Sequence, residues 1–158
     1  MSPKLTSGAF NYAGRIPEKY SRNGGNVSPP LEWDGLRCPA TKLALIMDDP
    51  DAPSGVFVHW VLYNIPDSIT HLEEGIPNRP NLADGMRQGL NGFGEVGYGG
   101  PQPPSGTHRY FFHLYALDTE LDLPAGASRA DLDRAMKGHI LDQAEFMGVH
   151  EHRSTHAA

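Results

Sequence analysis

Three groups of residues in this chain could do chemistry on an anion. Asp49-Pro50-Asp51-Ala52-Pro53 places two carboxylates two residues apart in a turn bounded by prolines. His59 puts an imidazole inside the otherwise apolar run 56–65. His108-Arg109-Tyr110 sets an imidazole, a guanidinium and a phenol side by side. Imidazole and phenol supply hydrogen-bond donors, and a carboxylate beside an imidazole decides which ring nitrogen carries the proton. A polar ring buried in an apolar strand needs a partner, and a nearby carboxylate such as Asp49 is the least costly one. Taken singly, each feature has a plain structural explanation. Asp-Pro pairs start turns, and a lone strand histidine is more often a satisfied core residue than a ligand. It is their joint arrangement that points to a site.

The elements that must position these residues read as strands. Residues 42–47 (Lys-Leu-Ala-Leu-Ile-Met) form an apolar run of strand length closed by Asp48-Asp49-Pro50. Residues 56–65 are rich in β-branched and aromatic side chains and end at Pro66, and 110–117 form another apolar run. Leu31-Glu32-Trp33 is a shorter strand. The ends of such strands gather at one rim of an antiparallel sandwich, which would bring the three groups together. Residues 1–30 are rich in Gly, Asn and Pro and read as short strands and turns, and 66–107 read mostly as loop. So long a loop in a compact domain usually serves function. One helix is expected over 128–147. Ser128 is its N-cap with Asp131 three residues on, Leu132, Met136, Ile140, Ala144 and Met147 recur at helical spacing, and Gly148 sits as the C-terminal cap. That helix should cover the sheet.

The 158 residues suit a single domain, 1–158, able to bury a core without metal or disulfide staples. Eighteen glycines and fourteen prolines spread along the chain favour an all-β fold over a helix bundle. Thirteen Lys and Arg against nineteen Asp and Glu give a net charge of −6. This argues against sequence-independent nucleic-acid binding and weakens any case for an anionic membrane surface. The single Cys38 cannot form an internal disulfide and reads as a packed or surface thiol. There is no apolar leader segment and no run of 18 apolar residues, so a cytoplasmic protein without integral membrane association is expected.

The ordered set of motifs resembles the phosphatidylethanolamine-binding protein family, most nearly its prokaryotic Raf-kinase-inhibitor-like branch. The residues that carry the resemblance are Asn26-Val-Ser-Pro-Pro-Leu31, Trp33, Asp49-Pro-Asp-Ala-Pro53, His59-Trp60, Tyr63-Asn-Ile-Pro66, Tyr98-Gly-Gly-Pro101, the loop from Gly100 to Gly106 and His108-Arg-Tyr110. They run over essentially the whole chain with family-like spacing. The resemblance implies an all-β Greek-key sandwich of two antiparallel sheets, with a C-terminal helix and long pocket loops. It also implies a cis bond at Ala52–Pro53, which would fix a tight turn.

The same resemblance implies a pocket for phosphate, for a phosphorylated or carboxylated small ligand, or for a phospholipid head group. Asp49, His59, His108 and Tyr110 would line it, with backbone at Gly100 and Pro101 as a wall. Asp51 and Arg109 would form a supporting ion pair, Ala52 and Pro53 would shape the loop, and Gln102 would sit in the pocket loop. Trp60 and Tyr63 read as packing residues. Asp49 could hold His59 oriented and charged, or accept from a protonated phosphate oxygen. Prokaryotic members often form homodimers, and members are known for binding lipid head groups and inhibiting kinases or proteases. Relatives often carry Cys near the positions of Arg22 and Gln102 and Tyr near that of His150, so this chain departs from them at all three.

Three functions are compatible with these residues. The first is a binding or regulatory protein with no cofactor. The second is a hydrolase with Asp49, His59 and His108 as general acid and base and Ser54 as a conceivable nucleophile; no Gly-x-Ser-x-Gly elbow supports it. The third is a zinc site from His59, His108 and Asp49, which matches none of the familiar ligand spacings. The tail histidines His150, His152 and His156 read as incidental rather than as a metal site.

Overall fold

The computed structural model describes residues 3–37 and 39–152; Cys38 and His156 lie outside them. Eight strands and one short α-helix follow in chain order: β1 (Lys4–Thr6), β2 (Leu31–Asp34), β3 (Lys42–Asp49), β4 (Phe57–Pro66), β5 (His71–Leu72), β6 (Arg87–Gln88), β7 (Thr107–Leu117), α1 (Arg129–Met136) and β8 (Ile140–Glu151). They make two antiparallel sheets, a small one in the order β1-β2-β5 and a larger one in the order β6-β4-β3-β7-β8.

β3 lies in the middle of the large sheet and is buried on both faces, which is why its sequence is apolar without alternation. Leu43, Leu45 and Met47 join Leu5, Leu31, Trp33 and Leu72 of the small sheet in one core, together with Trp60, Leu62, Phe112 and Phe146. Ala44 and Ile46 point the other way and pack with Val61, Tyr63 and Leu117 under Leu132 and Met136 of α1. The period of two along a strand thus sorts each β3 side chain into one of two cores.

The helix expected over 128–147 is corrected. It begins as expected, with Ser128 Oγ accepting from the Asp131 N–H at 3.1 Å and the Asp131 carboxylate accepting from the Ser128 N–H at 3.4 Å. It ends at Met136, and Gly138, at φ +83°, turns the chain into β8. Ala144, Phe146, Gly148 and His150 then alternate inward along a strand. Gly148 is no helix cap. A Cβ there would lie 2.6 Å from Ile16 Cγ1 and from the Phe10 ring, so glycine permits β8 to pack against the N-terminal segment.

The segment 66–107 contributes β5 and β6, and side chains hold much of the rest. The Gln88 amide, fully buried, accepts from Trp60 Nε1 at 2.7 Å and donates to the Pro77 and Arg79 carbonyls. Asn91 Nδ2 donates to the Gly97 carbonyl at 3.0 Å, and its Oδ1 accepts from the Phe93 N–H at 2.9 Å. None of the described helices is long and apolar enough to cross a membrane.

Candidate anion site

The expected residues converge where β3, β4 and β7 lie side by side. Along β7, His108, Tyr110 and Phe112 are buried and so share the face that carries the main core, while Arg109, Phe111 and His113 face the other way. On β3, Asp49 falls on the same side as Met47. His59 needs a further device, because regular alternation would put it with Val61 and Tyr63 under α1. The register of β3 against β4 runs from Met47↔Trp60 to Asp48↔Val58, so His59 is the extra residue of a β-bulge. The bulge brings its ring beside Tyr110, edge to face with centroids 5.2 Å apart.

All four side chains are nearly sealed: Tyr110 is 0% exposed, Asp49 and His59 3%, and His108 6%. Asp49 is fully engaged. Its Oδ2 lies 2.6 Å from His108 Nδ1, and its Oδ1 accepts the Asp51 N–H at 2.8 Å. Asp49 therefore orients His108 and the turn, and the expected direct pairing with His59 is not formed. His59 instead donates from Nδ1 to the Gly99 carbonyl at 2.6 Å. Phe57 and Phe93 wall it in, with ring centroids 4.9 and 5.7 Å away. Burial holds the His59 imidazole below its ordinary pKa, although the Gly99 and Gly100 carbonyls and the Asp49 and Asp48 charges pull the other way. Burial thus disfavours the charged His59 that one of the two expected roles of Asp49 called for.

Tyr110 has the one buried side-chain polar atom among the described residues that lacks a hydrogen-bond partner. The Gln102 backbone faces its hydroxyl without completing a bond. Burial first, and then the Asp49 and Asp51 charges, push the Tyr110 phenol well above its usual pKa. It stays a neutral donor at any physiological pH. A buried hydroxyl with nothing to bond costs about 1–3 kcal/mol. Such a cost is offset once a ligand oxygen accepts from it.

The surrounding turns hold this cluster rather than join it. Arg109 bonds Asp51 three times, through its backbone N–H (2.9 Å), Nε (2.9 Å) and Nη2 (2.8 Å), and keeps the Asp51 carboxyl down at about 2. Ala52 closes the turn by accepting the Gly55 N–H at 3.1 Å, and Pro53 and Ser54 are exposed within it. No hydrogen bond joins Ser54 to the Nδ1 of His59 or His108, both of which are taken by other partners. Gly100 is required by contact, because a Cβ would fall on the Tyr20 carbonyl. Its N–H goes to Asn26 Oδ1 at 2.8 Å, and the Pro101 carbonyl accepts from the Arg22 N–H at 3.0 Å. The Gly100–Pro101 wall therefore offers no spare donor. The Gln102 side chain turns outward to Asn23 Oδ1 at 3.0 Å.

His150 stands opposite His108 across the β7–β8 ladder. Its Nδ1 donates to the Ile16 carbonyl at 2.8 Å, and its Nε2 lies 3.6 Å from Glu18 Oε2. It lines a separate open cleft of about 590 Å³ that shares Pro101 and Gln102 with the wall of the sealed cluster. His152 donates to the Pro103 carbonyl, and among the described residues no group of three or more His, Cys, Asp or Glu is arranged to hold a metal ion.

Sequence reasoning missed Gly99, Phe57, Phe93 and Asn26 as parts of the site. Gly99 acts through its backbone carbonyl, which residue type does not announce, and Asn26 through a side-chain oxygen that accepts the Gly100 N–H. Phe57 and Phe93 read as ordinary apolar residues. Arg22 stacks on the outer face of Phe93, 3.7 Å from the ring centre, and pairs with Glu95 at 3.0 Å.

The chain is similar to proteins of archaea and bacteria over nearly all its length. The UPF0098 protein of Methanothermobacter thermautotrophicus is 56% identical over 92% of this chain and 97% of its own, and that of Aquifex aeolicus is 46% identical over 94% and 88%. The crystal structure of a phosphatidylethanolamine-binding protein homologue from Chlamydia trachomatis superposes with a TM-score of 0.88 at 41% identity, covering 96% of this chain and 99% of that one. YbcL of Escherichia coli, described as a member of the mammalian PEBP family, gives 0.89 at 30% identity, covering 97% and 100%. A profile of the family described as phosphatidylethanolamine-binding protein matches residues 6–151. With fold, profile and relatives in agreement, the chain belongs to the phosphatidylethanolamine-binding protein family.

Proposed function

We propose that this protein is a binding or regulatory protein whose sealed cluster takes a small anion, either a phosphorylated or carboxylated small molecule or the phosphate head of a phospholipid. The observation that carries the reading is the partnerless Tyr110 hydroxyl, buried between the His59 and His108 rings. A donor left unsatisfied in an otherwise well-bonded core is the mark of a site that awaits an acceptor. Asp49 and Gly99 fix the two imidazoles by their Nδ1 atoms, so each ring has only Nε2 left to offer. Titration calorimetry with inorganic phosphate tests the reading. Tyr110→Phe removes only the hydroxyl and should weaken binding about ten- to a hundredfold, the value of a hydrogen bond to a charged group. Equal affinity in the two proteins would refute the reading.

A further inference from the structure

The walls of the cluster carry a preference among anions. His59 is the first part of it. A carbonyl can only accept, so the 2.6 Å contact with Gly99 requires the hydrogen on Nδ1. The ring is buried among Phe57, Phe93 and Tyr110. In a neutral ring with that hydrogen on Nδ1, Nε2 presents a lone pair. An oxygen without a proton would set lone pair against lone pair there, whereas an O–H would donate.

Charge is the second part. The groups facing His59 are Asp49 and, more distantly, Asp48 from β3, Tyr110 from β7, and the Gly99 and Gly100 carbonyls from the loop. His108 stacks beyond Tyr110 with its Nδ1 on Asp49. The neighbouring cations are committed: Arg109 spends three hydrogen bonds on Asp51, and Arg22 is paired with Glu95. A second negative charge on the ligand would meet the Asp49 carboxylate without a guanidinium of its own. One negative charge can be met by the Tyr110 hydroxyl, whose donor has no partner among the described residues.

We infer that the cluster selects an oxyacid monoanion that still carries a proton near neutral pH, a phosphate monoester or phosphonate with one P–OH, over sulfate, carboxylates and phosphate dianions. The hydroxyl donates to His59 Nε2, and a charged oxygen accepts from the Tyr110 hydroxyl. This rests on the anion-site reading above and adds the protonation state of the ligand.

The test is titration calorimetry of the full chain from pH 5.5 to 8.5 with phenyl phosphate, sulfate, a simple alkyl phosphonate and its α,α-difluoro analogue of lower second pKa. A phosphate monoester has a second pKa near 6, so its monoanion fraction falls from about one half at pH 6 to about one hundredth at pH 8. Affinity for phenyl phosphate should fall about fiftyfold over that range. Titration of a protein histidine would weaken binding in the same direction, and the phosphonate pair separates the two causes. The midpoint should move down for the difluoro compound by the difference in ligand pKa, and sulfate should fail to saturate at concentrations that saturate with phenyl phosphate at pH 6. Identical midpoints for the two phosphonates, or sulfate binding as tightly as the monoester, overturn the selectivity while leaving an anion site that Tyr110→Phe weakens. No saturable binding of any probe, or binding that neither Tyr110→Phe nor a folded His108→Ala alters, overturns both.

Discussion

Asp49 Oδ2 lies 2.6 Å from His108 Nδ1, and the other Asp49 oxygen is held by the Asp51 N–H. A carboxylate bonded on both oxygens acts on the site by fixing its neighbour, as the partner behind a functional histidine commonly does. It compels the Nδ1–H form of His108, which points the remaining nitrogen elsewhere. Asp49→Asn keeps the shape and the acceptor for Asp51 but can turn an N–H toward His108. The neutral ring should then carry its hydrogen on Nε2, visible as an exchange of the two ring signals in nitrogen-15 NMR. Loss of the charge-assisted bond should lower stability by about 1–3 kcal/mol in urea unfolding. An unchanged tautomer would show that Asp49 does not set it.

His59 carries a pH signature of its own. Its folded pKa is lowered from 6.5, mainly by burial. Below about pH 6.5 the unfolded chain takes up a proton that the folded chain refuses, so stability falls as pH drops through that value and continues to fall until the folded pKa is reached. Above it the contribution is constant. His59→Gln removes this dependence. Plotted from pH 4.5 to 8, unfolding free energies of the two proteins should run parallel above about pH 6.5 and converge below it. Parallel curves throughout would mean that the ring is not held neutral.

Much of this site was legible in the sequence because it is built on strands with strong signals. The runs ending in Asp49 and containing His59 and Tyr110 are apolar, β-branched and aromatic, and they form β3, β4 and β7. The bulge that aims His59 was not legible, because a one-residue shift of register leaves no mark on residue type. Neither was the choice of His108 over His59 as the partner of Asp49, which depends on that register. The helix over 128–147 failed for a related reason. Met136, Ile140, Ala144 and Met147 satisfy a period near 3.6, yet Ala144, Phe146, Gly148 and His150 also satisfy a period of two. Pairing with β7 along eleven residues decided between the two periods, and Gly138 marked the break.

The Asp51–Arg109 pair sits at the exposed rim, and its influence should appear only in acid. With Asp51 held down to about 2 by Arg109, the pair contributes above the ordinary carboxylate range near 4 and is lost as pH falls toward 2. Solvent screening keeps the contribution small. Arg109→Gln should therefore unfold at slightly higher pH in an acid titration, with the two curves meeting below about pH 2. The gap should narrow in high salt, and a gap indifferent to salt would point to lost packing over Phe111 instead.

Asp48 and Asp49 are adjacent in sequence, face opposite sides of β3, and should have separable roles. Asp48 accepts from Arg129 Nη1 of α1 at 2.6 Å and lies 3.2 Å from His113 Nε2 of β7. Burial pushes its pKa up, but these two partners more than offset that and leave it below the usual range. Asp48 thus ties the helix to the sheet. Asp48→Asn should cost about 1–3 kcal/mol, toward the lower end because Arg129 is partly exposed. Most of that difference should vanish as pH falls below the carboxylate range, since protonation breaks the wild-type pair as well. Phosphate affinity and the His108 tautomer should not change, because the β3 end is fixed by its pairing to β4 and β7. Unfolding curves and phosphate titrations on the Asp48→Asn and Asp49→Asn proteins together decide the point. An affinity loss in Asp48→Asn would mean that α1 and the anion site are coupled through β3.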